Sequence, residues 1–291
     1  MERLWTTETE KFFLNRILQR VPVEEIFYKT DDEKYYIYWP KNYSGRKYTI
    51  QTRNSYIGNY TEDFCLNLIS SIVTNKGLFA VKGAVCKEIG LIKASPADLV
   101  VSTSPKQEQD AHDIKIIFEV KMSLVWNWEY HRDGISVVGD FHSHLGSPSI
   151  LRSDSILKAI GKSALIRSNK LSNNIPIIVI GNSPVTANYI DKIDTLKDKG
   201  LIQAFWSLNP RPTNDNQSLK QSPNRGYYRF DSMDEMDDEI TRLIASEETF
   251  ISTMISKETL GDFVKISSLY SNNLERANKL IELIGQSKDE R

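Results

Sequence analysis

A mixed α/β domain carrying additional helices at its C-terminal end is the fold class this sequence predicts. Strand-type alternation at residues 97–103 and 114–126 is followed by alternating helix and strand patterns between residues 149 and 208. Residues 175–181 form a wholly apolar run of the kind found in strands covered on both faces. Residues 231–286 place Ile240, Leu243, Ile244, Phe250, Ile251, Leu280, Ile281 and Ile284 at helical spacings. A chain of 291 residues is long enough for one large domain with an appendage.

The elements follow in order. Thr7 to Glu10 has the spacing of a capping box, and Phe12, Phe13, Ile17 and Leu18 cluster on one side of a helix running to about Arg20. Residues 34–60 hold seven tyrosines and Trp39 interleaved with Lys34, Lys41, Arg46, Lys47 and Arg53, without one acid, and this composition predicts short strands and turns. Thr61 is suited to cap a helix carrying Phe64, Leu66, Leu68, Ile69 and Ile72 and stopping near Gly77. Residues 97–103 and 114–126 predict a hairpin whose polar loop is 104–113, and residues 135–141 a third strand. A helix over 149–167, a strand over 175–181, a helix over 187–199 and a strand over 201–208 complete the pattern. Beyond Asn209, the prolines and asparagines predict a polar loop over 209–230. The six acids among residues 231–239 read as a solvated face.

Charge and cysteine usage narrow the function classes. Thirty-seven Lys and Arg against 38 Asp and Glu exclude a polycation, so any nucleic-acid site must be local. Cys65 and Cys86 cannot form a disulfide framework and suggest a reducing compartment. The acid-bearing opening lacks a signal-peptide core and no apolar run approaches a membrane span, so a cytoplasmic protein is expected.

Chemistry concentrates on the predicted hairpin. Asp98 lies on its first strand, and the period of two sets Glu119 and Lys121 on one face of the second, opposite Phe118 and Val120. Two carboxylates on adjacent strands offer hard oxygen ligands for Mg²⁺, with the Val120 carbonyl available to complete the set. Lys121 is placed to orient or deprotonate a water, with a pKa lowered by burial and nearby positive charge. Pro96-x-Asp98 followed by Glu119-x-Lys121, with an acid-bearing helix upstream, resembles the PD-(D/E)XK nucleases, which include most type II restriction endonucleases. The resemblance spans residues 61–208. It implies a restriction-endonuclease-like core, Mg²⁺-dependent site-specific cleavage of double-stranded DNA, and a further ligand from the helix at Glu62.

A second signature competes. His142 and His144, followed by Ser153 and Asp154, are similar to the HxH strand end of JAMM zinc metallopeptidases, with Glu88 the rough positional match for that family's upstream acid. The match departs from the family at Leu145, where a proline is usual, and in the adjacency of Ser153 and Asp154, which helical geometry sets about 100° apart. A third reading is a non-catalytic DNA-binding protein on a nuclease fold. Under the nuclease reading Lys41, Arg46, Lys47, Arg53 and Arg152 are the expected DNA contacts; Lys158 and Lys162 are further candidates to meet phosphates on the helix of Arg152, for which a solvated face is the stronger reading. The resulting plan is a DNA-contacting region over 1–60, a catalytic core over 61–208, a loop over 209–230 and a helical region over 231–291. A homodimer, joined through the last of these, is expected because two centres cut two strands.

Overall fold

The computed structural model describes residues 4–208, 219–245 and 257–289. In chain order these form α1 (Thr7–Leu18), β1 (Tyr28–Lys29), β2 (Tyr35–Tyr36), α2 (Gln51–Val73), β3 (Phe79–Ala84), β4 (Ala97–Ser102), β5 (Ile114–Val120), β6 (Asn127–His131) and β7 (Gly134–Gly139). They continue as α3 (Ser153–Arg167), β8 (Ile177–Gly181), α4 (Ala187–Asp198), β9 (Ala204–Ser207), β10 (Tyr227–Arg229), α5 (Met233–Ala245), α6 (Lys257–Ser268) and α7 (Asn273–Asp289).

Six strands form a mixed sheet in the order β10-β9-β8-β5-β4-β3. Pairing is antiparallel from β3 through β5 and parallel from β5 through β10. The central strands β5 and β8 are covered on both faces, which is why their sequences are nearly all apolar. On one face Phe118, Val120, Ile178 and Trp206 pack against Cys65, Ile69 and Ile72 of α2 and Met236 and Ile240 of α5. On the other, Ile117, Ile177, Val179 and Phe205 meet Ile156, Ala159 and Ile166 of α3 and Ile193 of α4.

The remaining four strands make a separate antiparallel sheet, β1-β2-β6-β7. It shares a core with Phe13 and Leu14 of α1 and Ile57 of α2. Glu10, expected as a capping acid, lies instead wholly buried at the junction of the two sheets. It accepts hydrogen bonds from Trp5 Nε1 (2.9 Å), Trp128 Nε1 (2.9 Å), Val125 N (2.5 Å) and Trp126 N (3.3 Å). Thr6 is the N-cap of α1, its hydroxyl accepting from Thr9 N at 3.2 Å.

Several expectations change. Helix α2 begins ten residues before Thr61, so residues 51–60 are helical rather than strand-forming and the boundary at residue 60 falls inside a helix. The cause is a buried stripe at Arg53, Ile57, Thr61, Cys65 and Ile69, a spacing of four that tertiary burial rewards over local strand propensity. Thr61, in mid-helix, donates its hydroxyl to the Gly58 carbonyl at 3.0 Å. Of the strand expected over 135–141, residues 135–139 lie in β7, which pairs with β6 in the small sheet. The third antiparallel strand of the main sheet is β3, which the sequence pattern does not reveal. The expected loop over 209–230 contains β10 as a sixth strand, while 209–218 lie outside the described residues. The C-terminal region contains three helices among the described residues; Phe250 and Ile251 lie outside them. No helix among the described residues is long and apolar enough to cross a membrane.

Candidate active site

The β4–β5 register pairs Val100 with Ile117 and ends at Leu99 with Phe118, and Asp98 and Glu119 are the next residues on the two strands. Directly opposed like charges on one sheet face repel, so the pair requires compensation. Two lysines supply it. Lys121 Nζ lies 2.9 Å from Glu119 Oε2 and 3.3 Å from Asp98 Oδ2. Lys162 of α3 reaches down onto the sheet, with its Nζ 3.1 Å from Asp98 Oδ1 and in close ion-pair contact with Glu119 Oε1. Beyond the end of the ladder, Val120 N donates to Asp98 Oδ2 at 2.8 Å.

Burial and charge set the protonation of the quartet. Glu119 is 1 % exposed; burial and the neighbouring Asp98 carboxylate raise its pKa against the pull of the lysines. Burial also pushes Asp98 upward, but Lys121 and Lys162 outweigh it and leave that carboxyl below its ordinary value. For Lys121 burial acts downward, yet Glu119 and Asp98 prevail and raise it. The lowered lysine expected from the sequence is therefore corrected: two carboxylates hold Lys121 as an ammonium.

The main chain around Lys121 is fixed by a polar network. Lys121 N donates to the Ile180 carbonyl at 2.7 Å, and the Ser149 hydroxyl donates to the Lys121 carbonyl at 2.6 Å while accepting from Asn182 N at 2.9 Å. Asn182 also clasps Ser123, accepting from its N–H at 3.1 Å and donating to its carbonyl at 2.7 Å. A Cβ at Gly181 would stand 2.7 Å from Ser149 Oγ and 2.8 Å from Ile150, so glycine is what lets this loop close on β8.

Val120 and Lys121 also form part of the wall of a groove of about 730 Å³. The groove runs between the N-terminal half of α2, the aromatic residues Tyr28, Tyr38 and Trp39, and the start of α3. Arg53, Lys121, Arg152 and Lys158 contribute four cations to its lining against the one acid, Asp154. Arg53 is only 5 % exposed. It lies between the rings of Tyr28 and Tyr38, 4.8 and 4.9 Å from their centroids, and donates to the Ile37 carbonyl. No carboxylate pairs with it among the described residues, and its Nε is buried without a hydrogen bond.

The other expected residues divide. Glu62 is not part of the quartet; it pairs with Lys82 at 3.2 Å because α2 lies on the opposite face of the sheet. Lys41, Arg46 and Lys47 are exposed, as a phosphate contact requires. Arg152 bonds Asp154 at 3.2 Å, and Asp154 also holds Lys158 at 3.0 Å. The peptidase arrangement does not assemble. His142 sits in an exposed turn beside Asp140, whereas His144 is buried, stacked on Tyr38 at 4.0 Å, and pushed down to about pKa 4 mainly by burial. Glu88 accepts from Ala111 N instead, at 2.7 Å. Lys162 is the member of the quartet that the sequence pattern does not place, since it reads as part of a solvated helix face; its signal is a position between Ala159 and Ser163 of the buried stripe of α3. Among the described residues Asp110, His112 and Asp113 also cluster, on the surface of the β4–β5 loop. No family model, curated protein or solved structure matches the chain.

Proposed function

We propose that this protein is a Mg²⁺-dependent, site-specific endonuclease of double-stranded DNA, of the type II restriction kind and acting in a prokaryotic cytoplasm. The observation that carries the proposal is the convergence of Asp98, Glu119 and Lys121 on one sheet face, with Lys121 shared by a cation-lined groove. The donor set suits a hard divalent cation: carboxylate oxygens from two adjacent strands, already drawn around ammonium groups, with Glu119 Oε1 buried and lacking an aligned hydrogen bond. Asp98 and Glu119 are the residues that would hold it; the Val120 carbonyl lies on the Lys121 side, accepting from Lys121 Nζ at 3.4 Å. When bound, the ion supplies a Lewis acid for the phosphoryl oxygens and a more acidic water.

The chain's own residues account for the rest. Lys121, kept protonated by its two carboxylates, donates to a non-bridging phosphate oxygen and offsets the charge that builds there as water adds and the P–O bond breaks. This makes it an electrostatic and orienting group. Arg53 is a buried cation whose missing anion a backbone phosphate can provide, and the surrounding tyrosines and Trp39 hold it in place. Arg152 and Lys158 extend the positive wall, with Lys41, Arg46 and Lys47 as outer contacts. A homodimer, with α6 and α7 as its surface, would place two such centres on the two strands.

The test is plasmid and phage DNA cleavage in Mg²⁺ alongside metal analysis of the purified protein. Discrete fragments from the parent, lost in Lys121→Ala while specific binding in Ca²⁺ persists, support the proposal. Copurifying zinc that disappears with His142→Ala and His144→Ala, without Mg²⁺-dependent nicking, overturns it.

A further inference from the structure

We infer that the Lys162 ammonium and a divalent cation compete for the same carboxylate oxygens, so that Lys162 is a tethered competitor setting the metal affinity of the site. The inference rests on the reading of Asp98 and Glu119 as metal ligands and adds a role for a residue outside the Asp-Glu-Lys motif.

The two carboxylates are bridged along two edges. On one edge Lys121 joins Asp98 Oδ2 to Glu119 Oε2, and Oδ2 also accepts from Val120 N. On the other, Lys162 alone joins Asp98 Oδ1 to Glu119 Oε1. Asp98 and Glu119 would hold a metal ion together only where one of these two ammonium groups gives way. The Lys121 edge is anchored, because Val120 N also holds Asp98 Oδ2 on that side and the Lys121 main chain, directly after β5, is held by Ile180 and Ser149. The Lys162 edge is the one that can yield. Lys162 reaches the carboxylates from a different element on a flexible four-carbon stem, so its ammonium can leave them without moving α3 or the strands, and among the described residues no backbone donor shares its edge as Val120 N shares the other. Glu119 Oε1, the oxygen that would be vacated, has no aligned hydrogen bond to lose.

Electrostatics gives the direction. Two carboxylates and two ammonium groups sum to zero, which attracts a divalent cation poorly. Loss of the Lys162 charge leaves a net charge of −1 at the same oxygens. Removing this competitor should therefore tighten metal binding, whereas removing a structural tie would loosen it.

The test is calorimetric titration of Ca²⁺ into the full-length protein without DNA, for the parent, Lys162→Met, Lys162→Gln and Glu119→Gln. We expect both Lys162 variants to bind Ca²⁺ about tenfold more tightly than the parent, and Ca²⁺ to raise their unfolding temperatures by more. Binding in the parent that is lost in Glu119→Gln, but equal or weaker in the Lys162 variants, overturns the competitor role and leaves the nuclease reading standing. No Ca²⁺ binding in any of the four overturns both. Should the Lys162 variants not fold, the parent labelled with ¹³Cε-lysine still decides: the Lys162 signal should move to a solvent-exposed position as Ca²⁺ is added, and an unmoved signal at saturation overturns the inference.

Discussion

Replacing Glu119 by Gln keeps the side chain's volume and removes one charge from the neutral quartet. Lys121 and Lys162 must then share Asp98, and a net positive charge is left where the removed carboxylate was 1 % exposed. Breaking a fully buried ion pair by deleting one partner costs roughly 3–5 kcal/mol. The lysines are 20 % and 19 % exposed and can turn partly to solvent, and burial with Asp98 already disfavours the ionised Glu119, which brings the expected loss to about 1–3 kcal/mol. Adding Lys162→Met restores neutrality, leaving one Asp98–Lys121 pair. The double variant should therefore recover about half of the loss, and the coupling is that recovery plus whatever Lys162→Met costs alone. Urea unfolding in EDTA measures this, and a loss of about 3 kcal/mol lowers the midpoint by on the order of 1 M. A single-variant cost under about 1 kcal/mol, or costs that add within about 0.5 kcal/mol, would refute the picture of a charge-balanced buried quartet.

Three further outcomes are expected. Burial pushes Glu10 up to about 7, so the stability it contributes is fully present below 4.5 and falls by ~3 kcal/mol as pH rises through 7. His144, pushed down to about 4, acts in the opposite sense: its contribution is present above 6.5 and lost as pH falls toward 4. Glu10→Gln should thus make stability rise more steeply with pH between 5 and 7, and His144→Phe should lower that slope; denaturation at a series of pH values distinguishes these, and unchanged slopes count against the burial of both groups. Ser149→Ala orphans the buried Asn182 N–H and the Lys121 carbonyl, at about 1–3 kcal/mol each, and should reduce DNA cleavage further by loosening Lys121; a thermally neutral variant would contradict this network. Lys41, Arg46 and Lys47 changed together to Ala should flatten the dependence of log DNA affinity on log salt by up to about 0.9 for each phosphate no longer neutralised, and an unaltered slope would remove them from the interface.

The alternation of residues 97–103 and 114–126 was enough to place Asp98, Glu119 and Lys121 on one face, although β5 ends at Val120, because strand period is local and the adjacent strands pair directly across one loop. The apolar run of β8 and the helical spacings of α3, α4 and α5 were legible for the same reason. Tertiary structure decided what local pattern cannot encode. The tyrosine-rich residues 51–60 became helix because a stripe spaced by four found two cores to fill. Strand β7 joined the small sheet and β3 the large one, since partner choice depends on which sheet edges are open and which faces remain to be covered. Arg53 turned inward between two rings. Lys162 turned from an expected surface residue into a member of the site, because α3 covers the sheet face that carries Asp98 and Glu119 and two opposed carboxylates need a second cation.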